Sequence, residues 1–137
     1  MAMGLVLLAP AQVLAAPTSR RLTFAVFRNG ARIGEHRMSI VGQADGVTAS
    51  SDVSMLVKVG PVPVYRYTHR AVEQWRAGRF ASLETSTNGG GKIQRVSARR
   101  TDAGVVIDTG KSRITAPSGA APLTHWNAAV LDGPLFN

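Results

Sequence analysis

The chain has 137 residues, 45% of them hydrophobic, no cysteine, and a formal net charge of +8 from 16 basic and 8 acidic side chains. That length suits one domain with a real apolar core, and the missing cysteine excludes a disulfide framework, a thiol nucleophile and any cysteine metal site. Thirteen of the 16 basic residues are arginine and every charge follows Ser19; such an excess favours anionic partners without choosing among them, and arginine scattered over solvated strand faces accounts for it as well.

Met1 to Ala16, MAMGLVLLAPAQVLAA, is uncharged and mostly apolar, with Leu5 to Leu8 as the hydrophobic run and Val13-Leu14-Ala15 offering small residues for cleavage. This is a secretory signal in outline, although no Lys or Arg precedes the apolar run. A buried N-terminal helix or strand is the alternative. The segment is too short to cross a bilayer as a helix, which takes roughly 20 apolar residues. The expectation is a leader over 1–16 and one β-rich domain over 17–137, periplasmic or secreted, without a membrane span and, with no cysteine after the cleavage site, without a lipid anchor.

From Arg20 onward the chain reads as strands divided by turn signals. Arg21 to Arg28 is the first predicted strand. Asn29-Gly30 supplies the two residues that tolerate positive φ in a tight hairpin, and Ala31 to Val41 returns. Gly34 interrupts that return and marks a bulge or a close backbone approach. Asp45-Gly46 is the next predicted turn. Val47 to Val59 then alternates: Val47, Ala49, Ser51, Val53, Met55, Val57 and Val59 share one face, with Leu56 an exception on the other. Period 2 over that length is strong evidence for a half-buried strand.

Gly60-Pro61-Val62-Pro63 breaks the run before a fourth strand, Val64 to Trp75. Ala77-Gly78 turns into a fifth, Arg79 to Thr87, and Asn88-Gly89-Gly90-Gly91 reads as a loop. Ile93 to Arg100, Gly104 to Asp108 and Arg113 to Ala116 are shorter strands. After Pro117 the pattern loosens through Trp126-Asn127 into an apolar stretch ending at Asn137. The fold class is therefore all-β: an antiparallel meander forming a curved sheet or partly open barrel, with a flat two-sheet sandwich as the alternative.

Phe24-Ala25-Val26-Phe27-Arg28-Asn29-Gly30 followed by Arg32-Ile33-Gly34 resembles the opening hairpin of the bacterial exported proteins grouped as domain of unknown function 6134. Val64-Tyr65-Arg66-Tyr67-Thr68-His69-Arg70 and Glu73-Gln74-Trp75-Arg76 resemble its central strand, and Trp126-Asn127 with Leu135-Phe136-Asn137 its later segment. The resemblance spans most of the chain after residue 17. It implies an exported β-rich protein and brings no known activity, cofactor or catalytic residue. Members of the family continue past the point matching Asn137, so the resemblance also implies closing strands beyond it and an open sheet edge here.

Catalytic signatures are absent: there is no nucleophile elbow, no phosphate loop and no paired histidine motif. His36, His69 and His125 lie in three different segments; three such residues can bind zinc with an open position, but nothing in their spacing brings them together, so no metal or cofactor is expected.

The hairpin turning at Ala77-Gly78 carries most of the signal. A simple two-residue turn sets Arg76 opposite Arg79 and Trp75 opposite Phe80, and continuing that register sets Glu73 opposite Ser82, Ala71 opposite Glu84 and His69 opposite Ser86. One face then holds Tyr65, Tyr67, His69, Glu73, Trp75, Phe80 and Glu84, the ligand-binding candidates being Tyr65, Tyr67, His69, Glu73, Trp75 and Glu84. The other holds Arg66, Arg70, Val72 and Leu83. Arg66 and Arg70, with Arg95 and Arg99 two strands later, are the anion-contact candidates, since guanidinium forks match phosphate and carboxylate. A register slip of one residue would flip every one of these assignments.

Two functions fit. The first is a non-enzymatic binding or carrier module for a lipid-like or other amphiphilic ligand held on an apolar sheet face. The second is a structural or assembly protein that pairs its sheet edge with an envelope protein. Nucleic acid is not an expected partner of an exported chain with no base-stacking motif.

Overall fold

The computed structural model describes residues 18–137; the expected leader over 1–16 lies outside them. Eight strands follow one another in a single antiparallel sheet: β1 Ser19–Arg28, β2 Ala31–Gln43, β3 Gly46–Val59, β4 Val62–Arg76, β5 Arg79–Gly89, β6 Lys92–Thr101, β7 Gly104–Asp108 and β8 Arg113–Ala116. The sheet is one open meander, not a closed barrel and not a sandwich, with β1 and β8 as its two edges. The chain then forms a short parallel pair, β9 Ala121–Pro122 with β10 Leu135–Phe136, joined by a 3₁₀ turn over Ala128–Asp132 that Asn127 caps through its side-chain oxygen.

Tight turns set the meander. Asn29 and Gly30 both have positive φ (50° and 78°), as do Ala77 and Gly78 (47° and 73°), the arrangement whose twist matches that of the flanking strands. Ala77 has a Cβ in that left-handed conformation, which costs an L-residue about 1–2 kcal/mol. Asparagine tolerates it better. Ala77→Asn is therefore expected to raise stability by about 0.5–1 kcal/mol, read as a higher urea midpoint at unchanged slope.

Two details depart from the sequence-based reading. The second turn uses Ala44-Asp45, and Gly46 opens β3 opposite Gln43. A Cβ at Gly46 would stand 2.1 Å from the Trp75 carbonyl oxygen, so this glycine serves close strand approach rather than the turn. Asn88 and Gly89 belong to β5, not to a loop: Gly89 pairs with Tyr67 and Lys92, and only Gly90-Gly91 turn. Gly34 combines both expected roles. The β1–β2 register slips beside it, between Val26 and Phe27, and a Cβ there would meet the Ser54 carbonyl oxygen at 1.9 Å.

The sheet has one apolar and one polar face, as strand alternation requires. The core lies on the apolar face toward the β7–β8 side. Ala71, Trp75, Phe80, Leu83, Ala98, Val105 and Ile107 from the sheet pack beneath Ala120, Ala121 and Val130 of the C-terminal segment. The short side chains of Ala71 and Ala98 let that segment lie close. An aromatic ladder links the layers edge to face: Trp126 on Trp75 (5.6 Å between centroids), Trp75 on Phe80 (5.8 Å) and Phe80 on Phe136 (5.6 Å). Arg100 ties the seam by donating from Nε to the Phe80 carbonyl (2.6 Å) and from its guanidinium to the Ser118 carbonyl.

Candidate functional site

The register of the fourth hairpin decides which candidates meet. Arg76 faces Arg79 and Trp75 faces Phe80, as the two-residue turn requires. Ala81 is then an extra residue: the pairing slips so that Gln74 faces Ser82, Glu73 faces Leu83, Ala71 faces Thr85 and His69 faces Thr87. One inserted residue flips every later side chain of β5. Leu83 thus turns into the core at 8% exposure, and Glu84, expected beside His69 and Glu73, turns to the polar face opposite Val72 and Ser97.

Tyr65, Tyr67, His69, Glu73 and Trp75 do share the apolar face, with different occupations. Trp75 is core. The Glu73 carboxylate accepts from both indole N–H groups, Trp75 Nε1 at 2.9 Å and Trp126 Nε1 at 3.0 Å, and so fastens the C-terminal segment to the sheet. Tyr65 stands over Gly89, where a Cβ would come within 3.0 Å of its hydroxyl. Tyr67 stacks on His69, 6.5 Å between centroids and 14° between planes.

Among the described residues, the lower part of this face lacks the cover that the C-terminal segment gives the upper part. Leu22 and Phe24 of β1 are 43% and 49% exposed, and Val26, Val53, Met55 and Tyr67 are half-buried. Across this floor runs the row Phe24–His36–Val53–His69–Thr87, each residue opposite the next. His36 Nε2 lies 2.7 Å from the Ser51 hydroxyl and His69 Nδ1 lies 2.7 Å from the Thr87 hydroxyl. His125, from the covering segment, meets His36 edge to face at 6.4 Å. The structure therefore gathers the three histidines at the border between covered and open floor, which no sequence spacing announced. Among the described residues no group of three or more His, Asp or Glu side chains is placed to hold a metal ion.

Burial, and then the neighbouring His125, hold His36 below the ordinary imidazole value of 6.5; burial, and then His36, do the same for His69. An unfolded chain carries those histidines at their ordinary value and binds more protons than the folded one between the two values. Stability is then expected to fall as pH drops through 6.5 and to level off once the folded imidazoles are charged too. Urea midpoints taken across that range check it, and His36→Gln with His69→Gln should flatten the profile.

The polar face carries the anion-contact candidates. Arg70 and Arg95 flank Ser86 in one row, and Arg99 lies opposite Ser82. Arg66 and Arg70 share the alternation of β4, so all of Arg66, Arg70, Arg95 and Arg99 face one side. Glu84 sits diagonal to Arg70, Arg95 and Arg99 and offsets part of their charge. Arg70 also lies 3.7 Å from Asp52, whereas Arg66, Arg95 and Arg99 make no ion pair among the described residues. A groove of about 320 Å³ on this side is lined by Glu35, Arg37, Asp52, Thr68, Arg70 and Ser86, with Arg37 paired to Glu35. A second cavity, about 370 Å³, lies along the seam between Phe80, Arg100, Ser118 and Val130, where Arg100 is already committed to two carbonyls. Neither offers an uncommitted polar cluster against apolar surface, as the open floor does.

The family model described as Domain of unknown function (DUF6134) matches residues 24–137. The chain belongs to this family. The match runs from Phe24 of the floor through the central hairpin to the last residue of the C-terminal segment, so it takes in Phe24, Met55, Tyr67 and all three histidines, while Leu22 lies just before it. No curated protein and no solved structure matches the chain.

Proposed function

We propose that this domain is a non-enzymatic binding or carrier module for a lipid-like or other amphiphilic ligand, working in the periplasm or outside the cell. One observation carries the reading. The domain's own C-terminal segment covers one part of the apolar face and leaves Leu22, Phe24, Met55 and Tyr67 as an open apolar floor bordered by three histidines. Exposed apolar surface rimmed by a few polar groups is the usual form of a ligand or partner site. The apolar, leader-like segment over 1–16, with small residues at Val13-Leu14-Ala15, supports export.

Native mass spectrometry of the protein purified from a bacterial periplasm, followed by solvent extraction, tests it. A discrete adduct that extracts as a small amphiphile, and is lost in Phe24→Ala, is the expected result. A protein that arrives empty and takes up no added amphiphile defeats the reading.

A second reading has its own observation. β1 is a ten-residue edge strand with Leu22, Phe24 and Phe27 exposed and neither proline nor lysine to blunt it. A structural or assembly protein would use that edge, not one near Asn137, to add a strand from an envelope partner. Co-elution with another protein, lost on Ala25→Pro and kept on His69→Gln, would favour this reading over the carrier.

A further inference from the structure

The open floor carries no acid. Of the eight acidic residues, Glu35, Asp52, Glu84 and Asp108 point to the polar face by register. Asp45 and Asp102 lie in turns, and Asp132 ends the 3₁₀ turn. Only Glu73 shares the apolar face, and both its hydrogen bonds go to indoles at the covered end.

The titratable groups around the floor are then all bases or neutral phenols. β2 contributes His36, β4 contributes His69, Tyr65 and Tyr67, the covering segment contributes His125, and β6 contributes Lys92 beside Gly89 at the margin. On this face β1 adds Arg20 beyond Leu22, while β3 and β5 add only hydroxyls and apolar groups. The floor is neutral or positive and never negative.

His36 and His69 stand on either side of Val53 in one row, so their backbones are about 10 Å apart. Each spends one ring nitrogen on a neighbouring hydroxyl, and a neutral imidazole that gains a proton becomes a donor at both nitrogens. The charged form of His36 is disfavoured by burial and then by the His125 ring beside it, 6.4 Å between centroids. A single anion above Val53 removes that penalty. The donors are single N–H groups rather than guanidinium forks, which suits a carboxylate more than a phosphate; Arg66, Arg70, Arg95 and Arg99 are on the other face. From Leu22 to Val26 the floor runs about 13 Å along the strand, and from β1 to β4 about 14 Å across, room for one chain.

We propose that the open floor binds a single-chain amphiphile with a carboxylate head, its chain along Phe24, Met55 and Tyr67 and its carboxylate above Val53 between His36, His69 and His125. This rests on the amphiphile-binding reading above and adds the headgroup, the chain number and a dependence on pH. Acidification charges His36 and His69 and tightens the site. The bound carboxylate in turn raises their affinity for protons.

Titration calorimetry with decanoate and with decanol, at about pH 6 and about pH 8, tests the headgroup. Decanoate should bind roughly ten-fold or more tightly at the lower pH, while decanol should bind equally at both. His36→Gln with His69→Gln should erase the pH dependence for decanoate and leave decanol unchanged, which also shows that the variant is folded. Histidine chemical shifts should report proton affinities raised by decanoate and not by decanol. Equal, pH-independent binding of the two ligands overturns the carboxylate proposal and leaves an amphiphile site. Phosphatidylglycerol vesicles that bind in preference to decanoate overturn the single chain. If neither ligand binds at either pH, the amphiphile reading fails as a whole.

Discussion

Phe80→Ala should lower the stability of this domain by about 3–5 kcal/mol, the largest effect of any single truncation in the core. Phe80 is 1% exposed and stands at the middle of the edge-to-face ladder, touching Trp75 on one side and Phe136 on the other. It joins the sheet to the C-terminal segment, so its loss removes its own buried area and leaves a cavity in a layer of alanines too short to fill it. Its neighbourhood resists collapse, because Arg100 holds the Phe80 carbonyl and the Ser118 carbonyl at fixed separation. Phe24→Ala is the matching control. Phe24 lies on the same face but is 49% exposed, so its truncation should cost under about 1 kcal/mol while weakening any ligand of the open floor. Urea unfolding of both variants separates the two roles. A similar loss for Phe24→Ala would mean that the open floor is covered core in solution.

The strands were legible for a physical reason: residue types that favour left-handed backbone mark turns, and period 2 marks faces. Asn29-Gly30 and Ala77-Gly78 turn where they were expected to, and the intervals Gly104–Asp108 and Arg113–Ala116 coincide with β7 and β8. The bulge at Gly34 was legible because glycine advertises a close approach. The bulge at Ala81 was not, because Phe80-Ala81-Ser82 is ordinary strand sequence, and what selects the slip is the gain from burying Leu83 against Ala98 in place of Glu84. That energy is tertiary. Glu84 was therefore assigned to the wrong face while Tyr65, Tyr67, His69, Glu73 and Trp75 were assigned to the right one. Gly89 reads as loop in a run of three glycines, yet it is strand because Tyr65 lies over it. The histidine cluster depends on two things no local pattern encodes. One is the joint register of β2, β3 and β4, which sets His36 and His69 about one Val53 apart. The other is the path of the C-terminal segment, an aperiodic stretch that returns across the sheet and delivers His125.

Glu73 offers the second large effect. Its carboxylate oxygen accepts both indole N–H groups, Trp75 on its own strand and Trp126 on the covering segment. Trp75 is buried and Trp126 half-buried, so Glu73→Ala strands two donors where water reaches poorly, and each such hydrogen bond to a charged acceptor is worth about 1.5–3 kcal/mol. A total loss of about 2–4 kcal/mol is expected, because some water will enter. Glu73→Gln keeps a carbonyl oxygen with two lone pairs at the same position and should lose only about 1 kcal/mol, the difference between a charged and a neutral acceptor. Tryptophan fluorescence gives a second, local readout. In Glu73→Ala the emission should shift as Trp126 lifts away, before global unfolding, and amide exchange in 121–136 should quicken relative to β5 and β6. If Glu73→Ala and Glu73→Gln were equally damaging, the charge rather than the shared acceptor would be holding the segment down, and the two indoles would be neighbours of that charge without being its ligands. If both were harmless, the C-terminal segment would be held by the aromatic ladder alone, and Phe80→Ala should then release it completely.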